Sequence, residues 1–298
     1  MPTLVLTDEE LQQVQADVET RYRPSKFRTF IPVDSSAPEW ADSISFDTIK
    51  DFAELTLIDN MTTDLPMGTE EKTTQMVKLY KWGAAVGWNN DEIVRARQLG
   101  VPIDARRPAA NLNRAEQMLE TMAAVGGVSG TGTKGLLNQS GAVEVTSLAD
   151  GWAINAFEAI FDDLVLMIQA CETNTLGYYP CNTIVLAEKA YNVAQRCREN
   201  SAGENQGESV LELFARTYPG IRLVSWKHAD TAGASSKTRI LAYNNAQDVA
   251  RMLIPKELTT GQQVSDLMGV KMAQTMAAGG VVSDTPEAIA YADNVLSE

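Results

Sequence analysis

The stretch from Asp104 to Asn138 constrains the fold more than any other part of the chain. Leu112, Ala115, Leu119 and Met122 recur at steps of three and four, while Asn113, Glu116, Gln117 and Glu120 fall on the other side. That spacing predicts an amphipathic helix with one apolar stripe to bury and its carboxylates turned away. Pro108 fits only in or near the first turn, where a missing N–H costs least, and Gly126-Gly127 stops the helix. At 1.5 Å per residue it spans roughly 27 to 32 Å. A Gly, Ser and Thr loop follows, and order resumes at Gly135-Leu136-Leu137-Asn138.

A chain of 298 residues with 44% hydrophobic and 21% charged content can bury a substantial core as one large or two ordinary domains. No run approaches the ~18 apolar residues of a membrane helix, and Met1-Pro2-Thr3 does not open a signal peptide. The formal charge of −14 argues against a tight grip on DNA or RNA, which needs clustered Lys and Arg. Cys171, Cys181 and Cys197 lie outside metal-ligand or CxxC spacing and read as small buried hydrophobes. His228 is the one histidine and reads as a surface residue, so triads and histidine metal clusters lack their parts. No catalytic residue, metal or cofactor is expected. Asp162-Asp163 diverge by about 100° on a helix and are expected to meet water.

The N-terminal 43 residues read as an arm. Thr7 or Asp8 caps a short helix through Val18, and an extended segment follows with Pro24, Pro32 and Pro38 among Phe27, Phe30, Ile31 and Trp40. The arm lies either on its own domain or across a neighbour. From about Phe46 to Trp88 come two strands, one carrying Ile49, Ala53, Leu55 and Leu57, the other Met76, Tyr80 and Trp82 on one face and Val77 and Leu79 on the other. An isolated hairpin is marginal in water and needs another surface to lean on. Arg95, Arg97, Arg106, Arg107 and Arg114 crowd the start of the long helix, with Glu70, Glu71 or Asp8 to Glu10 as candidate partners in another subunit. On that reading, Arg106→Glu or Arg107→Glu impairs assembly without loss of helicity.

Gly127 to Lys134 fails as a phosphate-binding loop, since it follows a helix and Thr133 stands where Lys is required. It reads as a flexible connection. Beyond Ala149 a helix capped by Asp150 carries Ala153, Phe157, Ile160, Leu164 and Ile168 on one face. Thr183 to Leu186 is a buried strand followed by a helix, Ser209 and Glu212 form a capping box for another, and strands follow at Ile221 to Trp226 and Arg239 to Tyr243. Val249 to Ile254, then Val264 to Val282, read as strands returning to cover the long helix.

Trp88-Asn89-Asn90-Asp91-Glu92, a short helix to Gly100, Ala109-Ala110, a long helix with Glu116 and a glycine loop closing on Gly135-Leu136-Leu137-Asn138 resemble the spine region of tailed-phage major capsid proteins. Ala278-Gly279-Gly280-Val281, then Pro286, Ala288, Tyr291 and Asp293, is similar to the way such chains end. The resemblance covers most of the chain from about Asp47 onward. It implies an α+β chain with the Hong Kong 97 capsid fold: N-terminal arm 1–43, extended β-hairpin loop 44–90, peripheral domain with spine helix 91–147 and 247–298, and mixed α/β axial domain 148–246. The implied function is that of a major capsid protein, assembling through hexamers and pentamers into the icosahedral head around a tailed phage's dsDNA. Encapsulin-type compartment shells are the alternative, and a soluble α/β enzyme using Asp162, Asp163 or Glu188 is the second. Implied partners are copies of itself, a portal, a separate scaffolding protein, a decoration protein, and DNA contacted weakly without sequence preference. Assembly is expected in the host cytoplasm, without a membrane. Arg95, Arg97, Arg106, Arg107, Glu70, Glu71, Trp82, Phe27 and Phe30 are the candidate inter-subunit contacts. No asparagine and glutamate match the pattern of members that cross-link a hairpin lysine, so Lys72, Lys78 and Lys81 are not expected to form covalent bridges.

Overall fold

The computed structural model describes residues 25–52, 69–100, 106–146, 148, 151–152, 157–199 and 207–296. The expected helix ending at Val18, the strand positions Ala53, Leu55 and Leu57, the cap at Asp150 and Ala153 lie outside these residues. A 3-10 turn at Lys26–Thr29 turns Phe27 and Phe30 inward, and β1 (Val33–Asp34) follows. β2 (Ser43–Phe52) and β3 (Thr69–Lys78) pair antiparallel from Ser43↔Lys78 to Phe52↔Thr69 as a two-stranded sheet of their own. Leu79 alone separates β3 from β4 (Tyr80–Asn89), which joins a different sheet. The single second strand expected through Trp82 is therefore two strands in two sheets.

α1 (Asn90–Leu99) starts where the Asn89 N–H donates to Glu92 Oε2 at 3.2 Å and stops at Gly100, whose φ of 60° suits glycine. α2, the spine helix, is Arg106–Ala124, about 28 Å long at 1.5 Å per residue, with Pro108 in its first turn. Leu119, Met122, Ala123 and Ala124 are buried, and the helix rests on β4 and on the later strand Gly280–Val282. The chain then turns back tightly. Gly126 and Lys134 form a bridge, the Gly127 N–H donates to the Thr133 carbonyl at 2.9 Å, and the Tyr80 hydroxyl donates to the Thr131 carbonyl at 2.5 Å. The expected flexible connection is thus a pinned loop, held by backbone bonds at φ 68° and 62°, values that glycine adopts without strain. Leu136 and Leu137 follow it into the core.

β5 (Val143–Glu144) precedes α3 (Phe157–Asn174). β6 (Thr183–Ala187), buried at every position, leads through α4 (Glu188–Arg196) and α5 (Val210–Thr217) to β7 (Arg222–Trp226) and β8 (Arg239–Tyr243). At α5 the expected capping box is present, the Glu212 N–H donating to Ser209 Oγ at 3.3 Å and the Ser209 N–H to Glu212 Oε2 at 2.9 Å. β9 (Arg251–Leu253), β10 (Lys256–Asp266), β11 (Gly269–Ala278), β12 (Gly280–Val282) and β13 (Ile289–Asp293) complete the order.

Three sheets surround the spine and the core beside it, in the orders β1-β9-β12, β10-β11-β4 and β5-β13-β8-β6-β7. β11 pairs with all of β4, from Gly269↔Asn89 to Ala278↔Tyr80. The last sheet joins the chain's tail to its middle, because β13 pairs antiparallel with β8 and parallel with β5. Residues 289–293, expected with the peripheral region, lie in one sheet with β6, β7 and β8. Ile289, Ala290 and Ala292 are buried there under α3.

Candidate functional site

Glu116 lies on the face of the spine expected to meet solvent, yet it is 6% exposed. Its carboxylate accepts from the Ser25 hydroxyl at 2.6 Å and from Arg28 Nη2 at 2.9 Å, and Arg28 Nη1 also reaches Glu257 at 2.7 Å. Burial alone would depress the Arg28 guanidinium, but its hydrogen bonds to Glu116 and Glu257 outweigh it and hold it above its ordinary value. One turn on, Glu120 accepts from the Trp226 indole N–H at 3.0 Å and from the Lys26 N–H at 3.3 Å. The spine therefore has a second, polar seam on which the segment from Ser25 to Ile31 lies. Two glutamates four residues apart on one helical face were the sequence signal for it.

That seam corrects two of the candidate contacts. Phe27 and Phe30 are both 0% exposed, with Phe30 edge-on to Trp226 at 5.0 Å and its carbonyl accepting from the Tyr243 hydroxyl. Both rings fill the chain's own core, where each contributes roughly 1.5 to 3 kcal/mol, and neither is offered to a neighbour.

The arginines are also spoken for in part. Arg107 binds Glu92 with Nη1 at 3.1 Å and Nη2 at 2.9 Å and donates to the Gly87 carbonyl at 2.6 Å. Its hydrogen bond, then that of the Asn89 N–H, holds the Glu92 carboxyl below the usual range. Arg107 thus clamps α1 and β4 to the start of the spine, and reversing its charge would disturb the subunit itself. Arg97 and Arg106 also have interactions of their own, Arg114 Nη1 donates to Gln117 Oε1 at 3.5 Å, and Arg95 is exposed. The backbones of Glu70 and Glu71 face Asp51 and Lys50 across the hairpin. Trp82 is half-buried in a groove of about 530 Å³ between β4, β11 and the flank of the spine bearing Arg114 and Met118.

The hairpin joins the body through Ala41, Leu79, Leu253 and Val282, with Ile44, Phe46 and Val77 packed on them. Arg251 stacks over the Phe46 ring at 4.5 Å and pairs with Asp284 at 2.6 Å. Beyond this base the side chains of Ser45, Asp47, Thr74, Gln75 and Met76 are exposed. The most exposed large apolar side chains outside the hairpin and the helix ends sit where periodicity could not single them out. They are Trp40 before β2, Leu176 and Tyr178 after α3, and the β10–β11 turn, where Leu267 is 97% exposed beside Met268 and Val264.

Asp163, expected in solvent, is buried and accepts from the Trp152 indole N–H at 2.7 Å, while Asp162 is exposed. His228 is half-buried, edge-on to Trp226 at 5.7 Å. Cys171, Cys181 and Cys197 are buried free thiols. Among the described residues no group of His, Cys, Asp or Glu could hold a metal ion, and no helix is long and apolar enough to cross a membrane.

A long spine helix, a two-stranded hairpin built on its base, and a mixed sheet completed by the tail define the fold class of phage shell proteins. The Major capsid protein family model matches residues 53–295, and the chain belongs to that family. Its structure is similar to the capsid of Myoviridae phage XM1, with a TM-score of 0.75 at 18% identity over 99% of this chain and 96% of that one. It is also similar to a chain of Mycobacterium phage Adephagia (TM-score 0.62, 8% identity, 99% and 100% covered). A virus-like particle from Pyrococcus furiosus shares the fold at a TM-score of 0.58 and 16% identity, over 97% of this chain and 100% of that one. No curated protein sequence matches. The fold is the Hong Kong 97 type expected from the spine, and family and fold are those of a structural protein.

Proposed function

We propose that this chain assembles with copies of itself, through hexamers and pentamers, into the icosahedral head that encloses the dsDNA of a tailed phage. The observation that carries the reading is the family match over residues 53–295. The exposed hairpin and the apolar tips at Trp40, Leu176, Tyr178, Leu267 and Met268 support it, since a structural protein with such surfaces has them to cover. A closed shell needs no strong single contact, because many weak ones per subunit combine once the geometry closes. The charge of −14 favours weak, sequence-independent contact with packaged DNA. A portal, a separate scaffolding protein and a decoration protein are the expected partners, with assembly in the host cytoplasm and the virion as destination.

Electron microscopy of the purified chain tests this, with closed particles, tubes or ring-shaped capsomers as the expected result. A chain that stays monomeric at every concentration and salt condition would defeat the reading. The likeness to the Pyrococcus furiosus virus-like particle favours a second reading, a shell of the encapsulin type around protein cargo. Nuclease-protected DNA of uniform length in native particles selects the phage head, and an enclosed enzyme selects the compartment.

A further inference from the structure

A cleft of about 480 Å³ opens where the end of β3, the glycine loop and the residues just after β12 meet. Lys78 comes from the first, Lys134 from the second and Ser283 from the third. Both lysine side chains are exposed, and neither ammonium has an ion pair or hydrogen bond among the described residues. Most neighbouring cations are already committed, Lys81 to Asp42, Lys256 to Glu39 and Arg251 to Asp284. Ser283 is 6% exposed, and its hydroxyl is buried with no hydrogen-bond partner. A buried hydroxyl without a partner is unusual in a native chain and is left able to bond an incoming group.

The chemistry of that group follows from what the cleft offers. Two ammoniums can only donate, and the hydroxyl can donate too, so the incoming group must accept and carry negative charge. The walls are already set, because the Val281 N–H donates to the Lys134 carbonyl at 3.0 Å and the hydroxyls of Thr131 and Thr133 bond each other at 3.0 Å. A preformed site spends little of its binding energy on ordering. The chain carries 39 Asp and Glu against 25 Lys and Arg, so the acceptor is abundant on every other copy. We infer that this cleft is an inter-subunit receptor for an Asp or Glu side chain of a second copy, bound by Lys78, Lys134 and the Ser283 hydroxyl. The inference rests on the self-assembly proposed above and adds to it the site and chemistry of one contact.

Unlabelled and 15N-labelled chains, mixed in equal amounts, assembled and treated with a carbodiimide that condenses an amine with an adjacent carboxylate, give the direct test. Peptides joining Lys78 or Lys134 to an Asp or Glu should appear with mixed isotopes. Ser283→Ala should leave the melting of the dispersed subunit unchanged or slightly raised, since it removes an unpartnered hydroxyl, yet weaken assembly. Lys78→Ala with Lys134→Ala should raise the concentration needed for assembly about ten-fold, more at low salt than at high. Particles that form normally from both variants, or whose two lysines join only carboxylates of their own chain, would overturn the inference and leave self-assembly standing. Protection of the lysines in dispersed subunits by inorganic phosphate would assign the cleft to a free anion and overturn it as well. A chain that never assembles defeats both.

Discussion

At single positions, the most consequential side chain is Glu116, a buried carboxylate between Ser25 and Arg28 on the spine. Breaking a buried pair by removing one partner costs about 3 to 5 kcal/mol, but Arg28 is 20% exposed and keeps Glu257, so Glu116→Ala should cost about 2 to 3 kcal/mol. Urea unfolding of the dispersed subunit measures it, with Glu116→Gln falling between. Asp293 supplies the pH dependence. Burial would raise its carboxyl, but the hydrogen bond from Arg239 at 2.6 Å, joined by the Ala234 N–H, holds it below the ordinary range. A carboxyl depressed in the folded state stabilises above its unfolded pKa of about 4, and that stability is lost as pH falls through the lowered value. Asp293→Asn should therefore lower the melting temperature at neutral pH, with the gap to wild type narrowing progressively as pH falls below the unfolded value of about 4.

Among elements, the glycine loop after the spine is the least forgiving. A Cβ on Gly126 would run into the backbone of Thr133 and Lys134, and one on Gly135 into the backbone of Ala124. Gly126→Ala adds left-handed strain at φ 68° to that clash and should destabilise the subunit by more than about 1 to 3 kcal/mol, whereas Gly127→Ala has open space and costs only the strain. Thermal unfolding of the two variants side by side checks the order. These elements show why some of the fold was legible and some was not. The spine, the capping box at Ser209 and the strand–helix–helix–strand–strand run announce themselves through period and cap chemistry, which are local. The pinned loop, the break at Leu79 and the placement of β13 beside β8 depend on what the rest of the chain brings alongside. Glu116 and Asp163 were misplaced for the same reason, because periodicity separates apolar from polar positions and is blind to a buried polar pair. Of the candidate contacts, Phe27, Phe30, Arg97, Arg106 and Arg107 have partners of their own, and the exposed tips lie in turns with no period to betray them.

For the whole molecule, the core around Phe214, Trp226 and Tyr243 is fully buried while the large apolar exposures lie at the margins. Charge placed at those margins should leave the subunit intact. Leu267→Asp with Met268→Asp is expected to change unfolding by no more than about 0.5 kcal/mol per site and to reduce particle yield, as sedimentation velocity would show. Unchanged yield would remove the β10–β11 turn from the set of contacts. The direct succession of β3 and β4 through Leu79 has a mechanical consequence. Ten paired residues at about 3.3 Å each make a beam of about 33 Å, so a rotation of about 10° at its packed base carries its far end through about 6 Å. A stiff lever seated on Leu79 and on its packed neighbours Ile44, Phe46 and Val77 turns a small adjustment of that seat into a wide change in the inclination at which one unchanging sequence meets its neighbours.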